Sequence, residues 1–297
     1  MPEAAIKLDE ELLESIQDLS LAARHLVNGF LQGHHRSPLR GLSQEFVAYR
    51  PYLPGDPLKS VDWNVWARSD HLFIRQFRHE SNFRGYLILD ASRSMDFGQG
   101  ATNKFTYGRI LAACLASLML AQIDAPGLAI TGLGDRVPWI PPSTRPDQID
   151  RLFHELETTR ADGRVPGLGD ITPVVSECRP RSLAIWITDG FCDPEEGAEL
   201  LKQFRMHDSD VLVFHLLHPD EIDPPYDGEV LLTDSETGEE MLVDGAQLRR
   251  EYAPRLAEFL AGVEGLCTGH EAHYCRIVTN EPLDTALHRY LAAREQL

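Results

Sequence analysis

Basic charge is in short supply in this sequence. Its 28 Lys and Arg stand against 46 Asp and Glu, a formal net charge of −18. Such a chain is repelled by a phosphate backbone, which excludes a general nucleic-acid binder. Cysteine is scarce too: five residues, an odd number without framework spacing. That excludes a disulfide scaffold and fits a reducing compartment. Long apolar runs are missing. The longest nearly apolar stretch, Ile110 to Ala121, falls short of the roughly 20 residues a bilayer span needs and reads as a buried helix. Met1 to Glu14 is acidic and has no apolar stretch of the secretory type. These absences together predict a cytoplasmic protein with no membrane insertion.

Two enzyme patterns are also absent. Gly98 to Lys104 has the outline of a phosphate loop, but Asn103 stands where glycine belongs and Phe105 where Ser or Thr belongs. No Walker motif results. There is no Gly-x-Ser-x-Gly elbow, which removes the α/β-hydrolase signal.

What is present is a globular composition: 297 residues, 43% hydrophobic and 25% charged, enough to bury a core. Leu12, Leu13, Ile16, Leu19, Ala23 and Leu26 recur at helical spacing and predict a helix from Asp9 to about Leu31. Leu42 to Glu80 mixes aromatic, basic and apolar residues around a Pro54-Gly55-Asp56 turn, with a strand at His71–Phe77. A regular alternation then begins. Strands are predicted at Tyr86–Leu89, Gly127–Leu133, Leu183–Thr188, Val211–Leu217 and His273–Val278, with a short one at Val137–Ile140. Helices are predicted at Lys104–Gln122, Asp147–Glu157, Glu195–His207, Gln247–Val263 and Leu283–Ala293. Val230 to Leu242 reads as a hairpin around Glu236-Thr237-Gly238. Strands alternating with helices imply a mostly parallel, doubly wound sheet covered on both faces. The expected division is an appendage at 1–83 and an α/β domain at 84–297 with a hairpin inserted near 228–244.

In such a sheet, ligands bind beyond the carboxyl ends of the strands where strand order reverses. Two carboxylates stand where apolar runs end: Asp90, in Leu89-Asp90-Ala91-Ser92-Arg93-Ser94, and Asp189, in Thr188-Asp189-Gly190. The spacing of Asp90, Ser92 and Ser94 lets one loop turn three oxygens toward one centre. Carboxylate and hydroxyl oxygens suit a hard cation, Mg²⁺ or Mn²⁺. With few protein carboxylates around it, such an ion stays open to an acidic side chain of another protein.

Asp90-x-Ser92-x-Ser94 with the later Thr188-Asp189-Gly190 resembles the metal-ion-dependent adhesion site of von Willebrand factor A domains. Gly41-Leu42-Ser43-Gln44-Glu45-Phe46, Arg50-Pro51-Tyr52-Leu53-Pro54-Gly55-Asp56, Val61-Asp62-Trp63 and Ala67-Arg68 resemble the core pattern of the bacterial family called domain of unknown function fifty-eight. The resemblance covers roughly residues 36–297. It implies a von Willebrand factor A-like core and a role as adaptor or partner of a MoxR-type AAA+ ATPase, not as an enzyme. The adhesion-site pattern adds a threonine from an intervening loop. Here that stretch reads Gly167-Leu168-Gly169-Asp170-Ile171-Thr172, so either Thr172 serves or Asp170 replaces it.

Other readings stand beside this one. Asp90 and its serines also suit a purely structural turn. Arg36–Arg84 holds eight basic and five acidic residues, whereas Gly190–Gly245 holds two basic and sixteen acidic. A metal-independent scaffold could therefore bind through its charged faces. A Mg²⁺-dependent phosphohydrolase would need a second aspartate where Ser92 stands. Arg50, Asp56, Asp62, Trp63 and Arg68 read as a functional patch or, more commonly for such sets, as an ion-pair network. Cys267, His270, His273 and Cys275 offer zinc ligand types in the wrong spacing.

Overall fold

The computed structural model describes residues 83–134, 137–234 and 238–294, together with 19, 23, 26–30, 45–52, 65–66 and 71–78. Two compact units result, one of residues 34–82 and one that joins 1–33 to 83–297. The chain thus divides differently from a single cut near 83. Leu19, Ala23, Leu26, Val27 and Phe30 are helical and buried in the core of the large unit. An apolar helix stripe must be covered, and the sheet domain covers this one.

In the small unit, β1 (Glu45–Pro51) and β2 (Phe73–Arg78) pair antiparallel. The sequence predicts the second strand and misses the first. Phe46-Val47-Ala48 breaks the two-residue alternation, and the pairing register shifts between Phe46 and Ala48. Asp56, Asp62, Trp63 and Arg68 lie outside the described residues.

The large unit holds strands β3 (Arg84–Asp90), β4 (Ala125–Thr131), β5 (Trp139–Ile140), β6 (Ser182–Thr188) and β7 (Ser209–Leu217). A hairpin of β8 (Glu229–Thr233) and β9 (Glu240–Asp244) precedes the last strand, β10 (His273–Val278). Helices α1 (Lys104–Ala121), α2 (Gln148–Thr158), α3 (Leu168–Glu177), α4 (Pro194–Met206), α5 (Pro219–Ile222), α6 (Gly245–Gly269) and α7 (Leu283–Arg294) connect them. Six strands form one sheet in the order β10-β7-β6-β3-β4-β5, parallel except for β5. This is the predicted doubly wound α/β fold.

Alternate residues of each strand face opposite layers. Leu87, Leu89, Ile185, Ile187 and Phe214 pack with α1, α2 and α7, and Tyr86, Ile88, Ala184, Trp186 and Val213 pack with α3 and α4. Apolar side chains are therefore needed on both faces, which explains the unbroken run Leu183–Ile187. Each fully buried one contributes roughly 1.5–3 kcal/mol. Helix α1 is apolar and 18 residues long, and 72% of it is buried, as befits a core helix.

Besides the one-turn helix α5, which the sequence reading lacks, two helices depart from it. Gly167, Gly169 and Pro173 signal a loop, yet α3 forms there, because Ile171, Val174 and Val175 are buried against the sheet. Helix α6 runs six residues past Val263, through Gly265, to Gly269. An interior glycine costs a helix about 1 kcal/mol but does not stop it.

Candidate metal centre at the switch point

Chain order carries β3 to β4 on one side and later β6 to the other, so strand order reverses between β3 and β6. Leu89 pairs with Ile187 there. The two apolar runs therefore deliver Asp90 and Thr188-Asp189 side by side at the carboxyl end of the sheet. Asp90, Ser92 and Asp189 are completely buried. Asp90 Oδ1 accepts from the Ser92 backbone N–H at 2.8 Å, and Oδ2 accepts from the Thr188 hydroxyl at 2.8 Å. Burial, and next the neighbouring Asp189, push the Asp90 carboxyl up to about 7.

A 3₁₀ turn at Arg93–Met95 brings Ser94 back over Ser92, with the two Oγ atoms 3.0 Å apart. The turn is braced from the loop before α3. Gly163 N–H donates to the Ala91 carbonyl, and Arg93 N–H donates to the Gly163 carbonyl, both at 3.1 Å. A Cβ at Gly163 would run into the Gly132 carbonyl, and both partners are backbone. Gly163→Ala is therefore expected to destabilise the protein by about 1–3 kcal/mol. Gly169→Ala has open space around it and serves as the control. Urea titration of both variants checks this; equal midpoints would mean the brace is not tight.

Asp189 meets a partner the sequence reading did not name. Lys104 opens α1, capped by Asn103, whose side chain accepts from the Thr106 N–H. The lysine is completely buried, with Nζ 3.0 Å from Asp189 Oδ2 and 2.7 Å from Glu221 Oε1 on α5. Burial works against its charge, but Asp189 and then Glu221 outweigh it and hold Lys104 above its ordinary value. The rings of Phe97 and Phe191 flank Nζ at 5.8 and 5.7 Å. The other Asp189 oxygen accepts from the Phe191 N–H at 3.3 Å. Gly190, between them, has φ +78°, and a Cβ there would crowd the His215 ring. Burial pushes that imidazole down to about 4.

The predicted site residues separate into two groups. Asp90, Ser92, Ser94 and Asp189 come together. Thr172 is exposed on α3 and bonds Gln203 at 3.1 Å. Asp170 accepts from the Gly167 N–H at 2.8 Å and pairs with Arg164 at 3.0 Å, capping α3. Both are thus engaged locally in and around that helix. Among the described residues, no three His, Cys, Asp or Glu side chains converge, so Cys267, His270, His273 and Cys275 make no zinc cluster. Lys104 and Glu221 were missed. The available signal was a lysine opening a mostly apolar helix, which resembled only a failed phosphate loop.

The donors present suit a hard divalent cation. Mg²⁺–oxygen bonds measure roughly 2.0–2.1 Å, so neighbouring corners of its octahedron stand about 3 Å apart. The Ser92 and Ser94 hydroxyls, hydrogen-bonded to each other at 3.0 Å, lie close enough to be neighbouring ligands of one ion. A cation would also relieve the repulsion between Asp90 and Asp189. Ser94 is only partly buried, which leaves the cluster an approach from solvent. Behind Thr188 and Gly190 lies a cavity of about 320 Å³, walled by Trp186, Val213, Phe259 and Val263. Its walls are mostly apolar and do not suit a hard cation.

Fold and site define a doubly wound α/β domain with a carboxylate–hydroxyl cluster at its switch point. The chain belongs to the family described as "Protein of unknown function DUF58", which matches residues 48–259. Uncharacterized proteins of Mycobacterium tuberculosis and Mycobacterium bovis are 27% identical over 300 residues, covering 97% of this chain and 91% of theirs. Similar solved structures include BatB from Bacteroides thetaiotaomicron, at 14% identity and a TM-score of 0.45. The match covers 72% of this chain and 100% of that one. The SpRpn10 VWA domain matches at 12% identity and a TM-score of 0.41, over 70% of this chain and 94% of that one.

Proposed function

We propose that this protein is a metal-dependent interaction module of the von Willebrand factor A type, not an enzyme. Asp90, Ser92 and Ser94 would hold Mg²⁺ or Mn²⁺, with Asp189 behind them. The bound ion would supply a positive, coordinatively open point that accepts an exposed acidic side chain of a partner. The observation that carries this reading is the buried Asp90 at the switch point, with the Ser92 and Ser94 hydroxyls gathered beside it on one loop, 3.0 Å from each other. What this chain's residues do is separate from the ion. Thr188 and the Ser92 N–H orient Asp90, the Gly163 brace fixes the serine loop, and the buried surroundings remove competing water.

The partner we propose is a MoxR-type AAA+ ATPase, which the family resemblance implies. It would supply the energy that residues 98–105, without a Walker pattern, do not. A pull-down from native cell extract on immobilised wild type and Asp90→Ala, with Mg²⁺ and with EDTA, tests both parts. An AAA+ ATPase retained only by wild type with Mg²⁺ is the expected result. Equal retention in EDTA, or by Asp90→Ala, overturns the metal-dependent reading.

One observation favours a second mode. On the hairpin, Leu231, Met241 and Leu242 are more than half exposed, in the acid-rich part of the chain. Binding there would survive EDTA, and the part of it carried by the surrounding acidic residues would weaken steeply with salt.

A further inference from the structure

Lys104 has no task in the function proposed above, and its position asks for one. A lysine at the first position of a helix faces the positive end of the helix dipole. It is also completely buried. Both conditions disfavour an ammonium, and two carboxylates are spent on keeping it there. Glu221 gives one oxygen to Lys104, and its other oxygen accepts from the His218 N–H at 2.7 Å. Asp189 is likewise engaged through both oxygens, by Lys104 and by the Phe191 N–H. Asp90 differs: neither of its two partners carries a charge. The cluster therefore contains one carboxylate matched by a cation of the protein's own and one that is not.

We propose that Lys104 is a positioning residue that withholds Asp189 from the bound cation. This rests on the metal-binding reading above and adds how the site stays receptive. A divalent ion facing two free carboxylates would be neutralised and would have little attraction left for a third. Facing Asp90 alone, with Asp189 already matched by the ammonium, it keeps one positive charge for the partner's acidic group. Lys104 thus trades affinity for the ion against affinity for the partner. The Phe97 and Phe191 rings, 5.8 and 5.7 Å from Nζ, add cation–π attraction that favours the ammonium there.

The test uses the full chain, Mn²⁺ as the ion and acetate as the simplest acidic side chain. Mn²⁺ affinity is read by electron paramagnetic resonance, and acetate affinity from the change in the bound-Mn²⁺ spectrum. Lys104→Met should bind Mn²⁺ about tenfold tighter, as expected when a like charge beside a site is removed, and the loaded protein should bind acetate about tenfold weaker. The double variant Lys104→Met/Glu221→Gln removes both members of one ion pair and keeps the wild-type net charge. It covers the case in which the single variant does not fold, and it too should bind Mn²⁺ tighter and acetate weaker than wild type. Equal affinities in wild type and double variant would show that only summed charge matters and overturn the proposal. A parallel loss of both affinities would mark Lys104 as structural and overturn it as well. If wild type binds Mn²⁺ and the variants match it, this inference alone falls. If no form binds Mn²⁺, the metal-dependent reading falls with it.

Discussion

On the metal-binding reading proposed above, Mg²⁺ is expected to raise the melting temperature of the wild-type protein, and Asp90→Asn is expected to remove that rise. An ion bound only by the native state adds about 2.7 kcal/mol at a hundredfold excess over its dissociation constant. At roughly 2–4 °C per kcal/mol for a chain of this size, the wild type should gain about 5–10 °C. Asparagine is close to aspartate in shape, so the fold should hold. Its carbonyl can still accept from the Ser92 N–H, and its amide can face the Thr188 hydroxyl, the two groups that hold Asp90 at 2.8 Å. The substitution also removes a buried charge beside Asp189, so in EDTA the variant should melt no lower than wild type. Thermal scans with MgCl₂ and with EDTA measure both effects. An equal Mg²⁺-dependent rise in the two proteins would mean the ion binds elsewhere. A low melting point of the variant in EDTA would instead make Asp90 a structural residue.

Lys104→Met should cost the metal-free protein about 3–5 kcal/mol, the usual effect of removing one partner from a buried ion pair. The size follows from what is left behind: Asp189 completely buried, and Glu221 largely so, with no ammonium between them. The comparison is Arg145→Ala, which breaks the exposed pair between Arg145 and Asp147. That change should stay within about 0.5 kcal/mol. Urea unfolding in EDTA measures both. A similar small loss at the two sites would show that Lys104 is not holding the strand ends together. Mg²⁺ should restore part of the stability lost by Lys104→Met, since an ion can replace the missing positive charge.

The two substitutions probe opposite halves of one cluster, and the sequence displayed those halves unequally. Asp90, Ser92 and Ser94 lie within five residues, and Asp189 follows an unmistakable buried strand. Local spacing was enough to find them. Lys104 was legible only as the start of a helix, and Glu221 as one acid among sixteen in an acidic stretch. They meet Asp189 across 85 residues on one side and 32 on the other, separations on which no local pattern bears. Thr172 and Asp170 show the converse case. The adhesion-site pattern offered them as alternative metal ligands, whereas the structure gives them local partners: α3 forms there, with Asp170 in its cap and Thr172 bonded to Gln203.

The sequence by itself determined the alternation of strands and helices, because a strand buried on both faces must be apolar along its whole length. It determined the family too, through motifs spread over much of the chain. It also placed two carboxylates at strand ends. The tertiary structure decided which charges face each other. Strand order set β3 beside β6, the packing of α1 swung Lys104 between Asp189 and Glu221, and the docking of the leading helix into the large unit redrew the division of the chain. Periodicity is a property of neighbours along the chain, whereas the energy of a buried charge depends on whatever the fold brings within a few ångströms of it.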